Sequence, residues 1–111
     1  MSKFSFEDIG AVVATFAAQE GVQGGRVVKI TGSGTVGPCG DGELFCGVAL
    51  EPRAGGAAVQ VGGFVTVSCT GALTPGWATL VADGAGGVKS AAEGVNTLVV
   101  SAGESSAVLC L

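Results

Sequence analysis

Residues 54–82 read AGGAAVQVGGFVTVSCTGALTPGWATLVA, and none of these 29 side chains carries a charge. Within the stretch, short apolar runs are separated by glycine, proline or threonine. Short runs bounded by such residues are typical of β-strands joined by tight turns. The stretch therefore predicts an all-β fold.

The same pattern continues on both sides of this stretch. We predict strands at residues 11–18, 26–31, 44–50, 58–61, 64–70, 78–82, 88–90, 97–101 and 107–111, with residues 26–31 alternating toward one buried face. Residues 83–87, Asp-Gly-Ala-Gly-Gly, indicate a hairpin because Asp and Gly supply the positive φ of tight turns. About eight short strands at this spacing favour a small single-domain β-barrel or β-sandwich, and both remain open.

The composition argues against catalysis. The chain has 111 residues, the length of one domain, and contains no histidine and no tyrosine. Histidine is the side chain whose ordinary pKa suits it as a base at neutral pH, so a Ser or Cys nucleophile lacks its usual activator. We expect no catalytic residues and no enzyme activity.

The charge pattern argues against two classes of partner. The net charge is −4, and the five basic residues are scattered along the chain: Lys3, Arg26, Lys29, Arg53 and Lys89. Binding to nucleic acid or to an anionic membrane surface needs clustered basic side chains. Glycine and proline interrupt the uncharged stretch, so it does not form a membrane-spanning helix. We expect neither partner.

A glycine-rich motif at residues 32–37, GSGTVG, matches the GxGxxG pattern of dinucleotide-binding proteins. In that pattern the third glycine enters a helix, whose N-terminus holds the pyrophosphate. Here Pro38, Gly40 and Gly42 follow at once, and a helix does not survive them. We interpret the motif as a glycine-rich turn and expect no cofactor.

Metal binding is not expected either. Asp41 and Glu43 form an acidic pair in one predicted loop and Asp83 lies in another, but such carboxylates are more often solvated turn residues. The four cysteines match no zinc spacing, and three of them, Cys46, Cys69 and Cys110, fall in strand-like runs as small apolar fillers. We expect reduced thiols.

The first 22 residues differ from the rest and are treated as an N-terminal arm with the first strand, followed by a β-rich domain at residues 23–111. We predict an arm at residues 1–10 and a strand at 11–18, although Phe6, Ile9, Val13 and Phe16 would also line one helical face. Glu7 and Asp8 stand where a signal peptide has positive charge, so none is expected. The apolar residues of the arm, Phe4, Phe6 and Ile9, are candidate interface residues.

Trp77 and Arg53 complete the candidate interface. Trp77 follows Pro75-Gly76 at the start of a predicted strand, where it either packs in the core or contacts a neighbouring chain. Arg53 lies beside Pro52 at a predicted loop tip, as an interface charge or as a solubilising one.

The order of strands and turns from residue 24 to residue 111 resembles that of phage head-decoration proteins, also called capsid cement proteins. Three details carry the resemblance: Gly-Val-Ala at residues 47–49 after an acidic turn, Ala-Val-Gln-Val-Gly-Gly at 58–63, and a Pro-Gly turn that opens the segment 75–88. The first 20 residues match this family less well.

The resemblance implies a virion structural protein, made in the cytoplasm of the bacterial host, that binds the exterior of an icosahedral capsid. It further implies a homo-oligomer, commonly a trimer, that stabilises contacts between subunits of the major capsid protein. Two alternatives stay open: another phage part such as a tail-tube or adaptor subunit, and a stand-alone module that binds carbohydrate or another surface.

Overall fold

The structure, a computed structural model, describes residues 11–54 and 56–111. Within these ranges the chain forms ten β-strands and no helix. The strands are β1 (Val12–Ala18), β2 (Val27–Gly32), β3 (Thr35–Pro38), β4 (Gly47–Ala49), β5 (Gly56–Gly62), β6 (Phe64–Ser68), β7 (Gly76–Ala82), β8 (Val88–Ser90), β9 (Val95–Ala102) and β10 (Ser106–Cys110). The predicted small all-β domain is confirmed, and so is the strand predicted at residues 11–18. The arm prediction, with Phe4, Phe6 and Ile9, lies outside the described residues.

The strands form two sheets, one closed and one open. The first is a barrel in the order β1-β3-β2-β4-β5, which closes through antiparallel pairing of β1 with β5. The second is a five-stranded sheet in the order β6-β10-β9-β7-β8. The question of barrel or sandwich is therefore answered by a barrel with a second sheet packed against it.

Two strands of the barrel separate two hydrophobic cores. In β2, Val27 belongs to the core between the barrel and the second sheet, whereas Val28 belongs to the core inside the barrel. In β4, Val48 lies in the core between the sheets and Ala49 in the core inside the barrel. Successive side chains of a strand point to opposite faces, so both faces of β2 and β4 are buried here.

The segment at residues 39–46 ties the two sheets together. Gly42 N–H donates to the carbonyl of Ala82 in β7 at 2.8 Å, and Ala82 N–H donates to the carbonyl of Glu43 at 2.9 Å. Phe45 from the same segment is buried in the core between the sheets. This segment therefore extends the second sheet while it packs on the barrel.

Three strand predictions needed correction. Residues 35–38, interpreted as part of a turn, form β3, because they pair with β2 and, in parallel, with β1. Of the strand predicted at 44–50, only Gly47–Ala49 is a strand. The alternation predicted for residues 26–31 fails at Val27 and Val28, since each of them faces a different core.

Gly47 is required by the close packing of β4 on β5. A Cβ at this position would meet the carbonyl oxygen of Gln60 and would lie 2.8 Å from Cγ1 of Val59. Gly32, at the end of β2, has open space by comparison, with Cβ of Thr35 as its nearest neighbour at 3.9 Å.

We predict that Gly47→Ala lowers the free energy of unfolding by about 1–3 kcal/mol, the usual cost of overpacking a core. The matched variant Gly32→Ala changes it by less than about 0.5 kcal/mol, as is usual for surface substitutions. Urea unfolding followed by circular dichroism measures both. Equal stability of the two variants would contradict the close packing of β4 on β5.

Asp83 organises the turn between β7 and β8. Its Oδ1 accepts hydrogen bonds from the N–H groups of Ala85 at 2.7 Å and Gly87 at 3.0 Å, and its Oδ2 accepts one from the hydroxyl of Thr70 at 2.8 Å. Partial burial raises the pKa of this carboxyl group, but the hydrogen bonds outweigh it and hold the pKa below its ordinary value. The charged form of Asp83 therefore stabilises the fold.

We predict that Asp83→Ala costs about 1–2 kcal/mol of unfolding free energy at pH 7, because these hydrogen bonds are lost. A lowered pKa in the folded state means that this stabilisation is present at neutral pH and disappears as the pH falls through the folded pKa. The difference in unfolding free energy between wild type and Asp83→Ala should therefore be smaller in acid than at neutral pH, which urea unfolding at a series of pH values measures. Glu104→Ala, in the exposed turn between β9 and β10, is the control. Its difference in unfolding free energy from the wild type should not decrease in acid.

Candidate interaction surfaces

The carboxylates considered above as candidate metal ligands in the segment at residues 39–46 form ion pairs with lysines of the two sheets. Lys29 in β2 forms an ion pair with Glu43, and Lys89 in β8 forms one with Asp41. The Lys29 ammonium group, together with the N–H of Gly40, holds the pKa of Glu43 below its ordinary value. The described residues contain no cluster of three or more side chains that is suited to a metal ion.

The thiols are poor nucleophiles where their environment is defined. Partial burial, with a smaller contribution from Glu43, raises the pKa of Cys39 to about 11, and burial also raises that of Cys46. All four cysteines are free thiols. Cys110 lies in β10 as predicted, but Cys46 precedes β4 and Cys69 follows β6.

The GxGxxG motif is the β2–β3 hairpin. Its first glycine ends β2, Gly34 adopts a φ of 66° in the turn, and Gly37 lies within β3. The third glycine thus continues a strand and does not enter a helix. The turn interpretation is confirmed for the middle of the motif.

A row of apolar side chains crosses the outer face of the second sheet. The register pairs Phe64 of β6 with Cys110 of β10, Cys110 with Leu98 of β9, and Leu98 with Trp77 of β7. Directly paired residues point to the same face of a sheet. We call these four residues the outer row.

Trp77 is the most exposed member of the outer row. Its side chain is 72% exposed, so the interpretation of Trp77 as a core residue is wrong. β8 pairs with β7 only from Leu80 onward, and no described strand covers Trp77 on that side. The strands β6, β7, β9 and β10 contain no charged residue, so the outer row lies on an uncharged sheet face.

A shallow groove of about 360 Å³ lies on the outside of the barrel. It is lined by Thr15, Leu50, Glu51, Arg53, Gly56, Ala57 and Ala58. Thr15 and Ala58 are cross-strand partners in β1 and β5, and the N–H of Leu50 donates to the carbonyl of Ala58 at 2.8 Å. We call this feature the barrel groove.

Arg53 is placed on the barrel groove by a tight turn. Its backbone exchanges hydrogen bonds of 2.8 and 2.9 Å with Gly56, and Ala54 within the turn has a φ of 51°. The side chain of Arg53 is exposed. The predicted loop-tip arginine is therefore a groove residue.

Among the residues that the structure describes, one edge of β1 has no pairing partner over most of its length. β1 pairs with β5 from Val12 to Ala17, but with β3 only at Ala17 and Ala18. The N–H groups of Ala17 and Gln19 point toward β3. Because these directions alternate along a strand, the backbone groups of Val13 and Thr15 face the open edge.

The predicted site residues thus separate between two surfaces. Trp77 belongs to the second sheet and Arg53 to the barrel, while Phe4, Phe6 and Ile9 lie outside the described residues. Sequence reasoning missed Leu50, Thr15 and Ala58, which are brought together by the register of β1 on β5 and by the hydrogen bond from Leu50 to Ala58.

No helix among the described residues is long and apolar enough to cross a membrane. No family model matches this sequence, and no curated protein is significantly similar to it.

We predict that Trp77→Ala changes the free energy of unfolding of the dilute protein by less than about 0.5 kcal/mol, because little of the indole is buried. Leu80→Ala, at a fully buried position of the same strand, should cost about 2–5 kcal/mol. Urea unfolding at low protein concentration compares the two. A large loss of stability in the Trp77 variant would place the indole in the core.

Proposed function

We propose that this protein is a virion structural subunit that binds the exterior of an icosahedral phage capsid and reinforces contacts between major capsid subunits. The observation that carries the proposal is the edge of β1, which no described strand covers from Val12 to Phe16. The strand reads VVATFAA, carries no charge and is exposed on both faces from Val12 to Thr15. The proposal joins this edge to the sequence resemblance described above.

A free edge of this kind suits addition of a strand from a partner. Sheet edges are ordinarily protected by lysine, proline or a covering segment, because they present unpaired backbone groups to other chains. The edge of β1 at Val13 and Thr15 has neither lysine nor proline. A strand from a capsid subunit would supply the missing hydrogen bonds, the mode of binding known as β-augmentation.

The ion pairs of the protein support a binding role. Lys29 of the barrel and Lys89 of the second sheet each pair with a carboxylate of the segment at residues 39–46, so they help to hold this segment on both sheets. A reinforcing subunit needs a rigid surface more than reactive groups. Many copies on a lattice also gain avidity, so that each contact can remain weak.

A second candidate, a carbohydrate-binding module, is favoured by one observation. Trp77 is exposed on the outer face of the second sheet, and an exposed indole can stack on a sugar ring. A glycan array separates this candidate from the first, since its signal would depend on Trp77 and not on β1. A tail-tube or adaptor subunit would use the same β1 edge on a different lattice.

We predict that purified protein co-sediments with phage heads or empty shells of its own phage, and that Val13→Lys weakens this binding about tenfold. A lysine on a strand edge opposes further strand pairing. The side chain of Val13 is 47% exposed, so the substitution spares the core.

The matched control is Ile30→Lys. Ile30 is a strand residue with a similar exposure of 52%, but it lies on β2, where it is paired with Val36 of β3, and not on the edge of β1. This variant should bind shells like the wild type. Absence of wild-type protein from the shell pellet would refute the proposed function, and equal loss in both variants would remove the role of the β1 edge.

A further inference from the structure

A cavity of about 120 Å³ lies where the turn between β7 and β8 meets the barrel. Its lining combines the connection before β2, the start of β2 and the end of β3 with Gly84 and Gly86 of the turn. Among the described residues on this lining, Arg26 is the only charged one. We call this feature the Arg26 cavity. We propose that it is a binding site for one oxyanion, a carboxylate or a phosphate group, which the guanidinium group of Arg26 holds.

Arg26 has no counter-charge within the described part of the chain. Lys29 and Lys89 each form an ion pair there, whereas no described carboxylate lies within ion-pair distance of Arg26 and no described acceptor binds its guanidinium group. A guanidinium group offers five N–H donors in a planar fork that matches two oxygens of a carboxylate or phosphate. The charge of Arg26 is therefore available to an external anion.

The turn between β7 and β8 holds Arg26 in place. The N–H of the next residue, Val27, donates to the carbonyl of Gly86 at 3.0 Å. A Cβ at Gly86 would lie 2.6 Å from both Cγ and Cδ of Arg26, so the methylene groups of the arginine pack directly on the backbone of this glycine. Because this packing already restricts the exposed side chain, Arg26 loses less conformational entropy when it binds a ligand.

Further hydrogen-bond donors border the Arg26 cavity. The N–H groups of Gly84 and Gly86 donate to no described residue, and the side-chain amide of Gln23 has no described partner. Gly84 and Gly86 have φ values of 81° and 91°, which glycine adopts readily. The turn therefore presents backbone to the cavity without side chains in between, and backbone N–H groups of turns are common partners of bound anions.

The negative charges near the turn are already engaged. Both carboxylate oxygens of Asp83 accept the hydrogen bonds described above, and Asp41 is paired with Lys89. Cys39, on the lining of the cavity, is a neutral thiol at neutral pH, because partial burial is the main cause that raises its pKa to about 11. An anion in the cavity would therefore meet the unpaired charge of Arg26 and no thiolate.

The size of the cavity sets the class of ligand. Sites for drug-sized ligands typically have volumes of about 300–1,000 Å³. The 120 Å³ of the Arg26 cavity leaves room for a single carboxylate or phosphate group. This group comes either from an acidic side chain of a bound partner or from a free anion such as phosphate. The site itself does not depend on the proposed function.

The test is a titration of the full chain, labelled with nitrogen-15, with sodium phosphate or sodium acetate at pH 7 and constant ionic strength. We expect the amide signals of Gly84 and Gly86 to shift and to saturate. Arg26→Gln keeps methylene groups over Gly86 but removes the charge, so it should weaken binding at least about tenfold. The matched control is Arg53→Gln, which removes the other described basic side chain without an ion pair and should bind like the wild type.

Three results would overturn the inference. They are signals of Gly84 and Gly86 that shift with neither anion, equal binding by Arg26→Gln and the wild type, and an equal loss of binding in Arg53→Gln. The last result would indicate attraction by overall charge only. If Arg26→Gln does not fold, Arg26→Lys replaces it. This variant keeps the positive charge without the planar fork, so it should still weaken binding severalfold.

Sedimentation with phage shells distinguishes the two sources of the oxyanion. If the oxyanion belongs to the shell, phosphate lowers shell binding more than chloride of the same ionic strength, and Arg26→Gln lowers it as well. If it is a free anion, neither change affects shell binding while the titration stays positive. Protein that binds phosphate but stays out of the shell pellet would refute the proposed function and leave the oxyanion site intact.

Discussion

The structure depends on the double burial of β2 and β4. These two strands form the wall between the interior of the barrel and the second sheet, and they place neighbouring residues such as Val27 and Val28 in different cores. A wall shared in this way leaves little space, which is why β4 begins with a glycine packed directly on the backbone of β5. Without the wall, the second sheet would lose its packing surface and the barrel would lose a side. Two small cores thus stabilise one domain of modest size.

The packing of β2 and β4 between the two cores also determines which surfaces of the domain remain exposed. The core between the sheets takes its barrel residues from β2, β4 and Phe45, and none from β1. The free edge of β1 and the barrel groove therefore lie away from the second sheet. On that sheet, the core takes up Leu80 and Leu109, so the alternate residues Trp77 and Cys110 face outward. The packing that closes the domain leaves two apolar surfaces exposed on different sides of it.

Much of the strand content could be predicted from local pattern, but the connections between strands could not. Residues 11–18, 88–90 and 107–111 are apolar runs bounded by turn residues, and they form strands nearly as predicted. β3 was not predicted because a short segment with glycine and proline has little intrinsic preference for a strand. Its pairing with β1 and β2 stabilises it as a strand. The exposure of Trp77 could not be predicted either, because the residues that follow it in β7 are mostly apolar and show no clear alternation. The barrel groove depends on a register between β1 and β5 that no local signal encodes.

An exposed tryptophan and an unprotected strand edge are hazards for a protein that acts alone, because both invite association with unrelated chains. Here they occur on a chain whose strands carry only two charges, Lys29 and Lys89, and each of these is already paired. The remaining charges lie in the turns and at the N-terminus and sum to an acidic surface, which keeps dilute copies apart. Such a distribution suits a protein whose apolar surfaces are covered after assembly. On the lattice of the proposed function, the β1 edge would bind the shell, and many copies bound side by side would let each single contact remain weak.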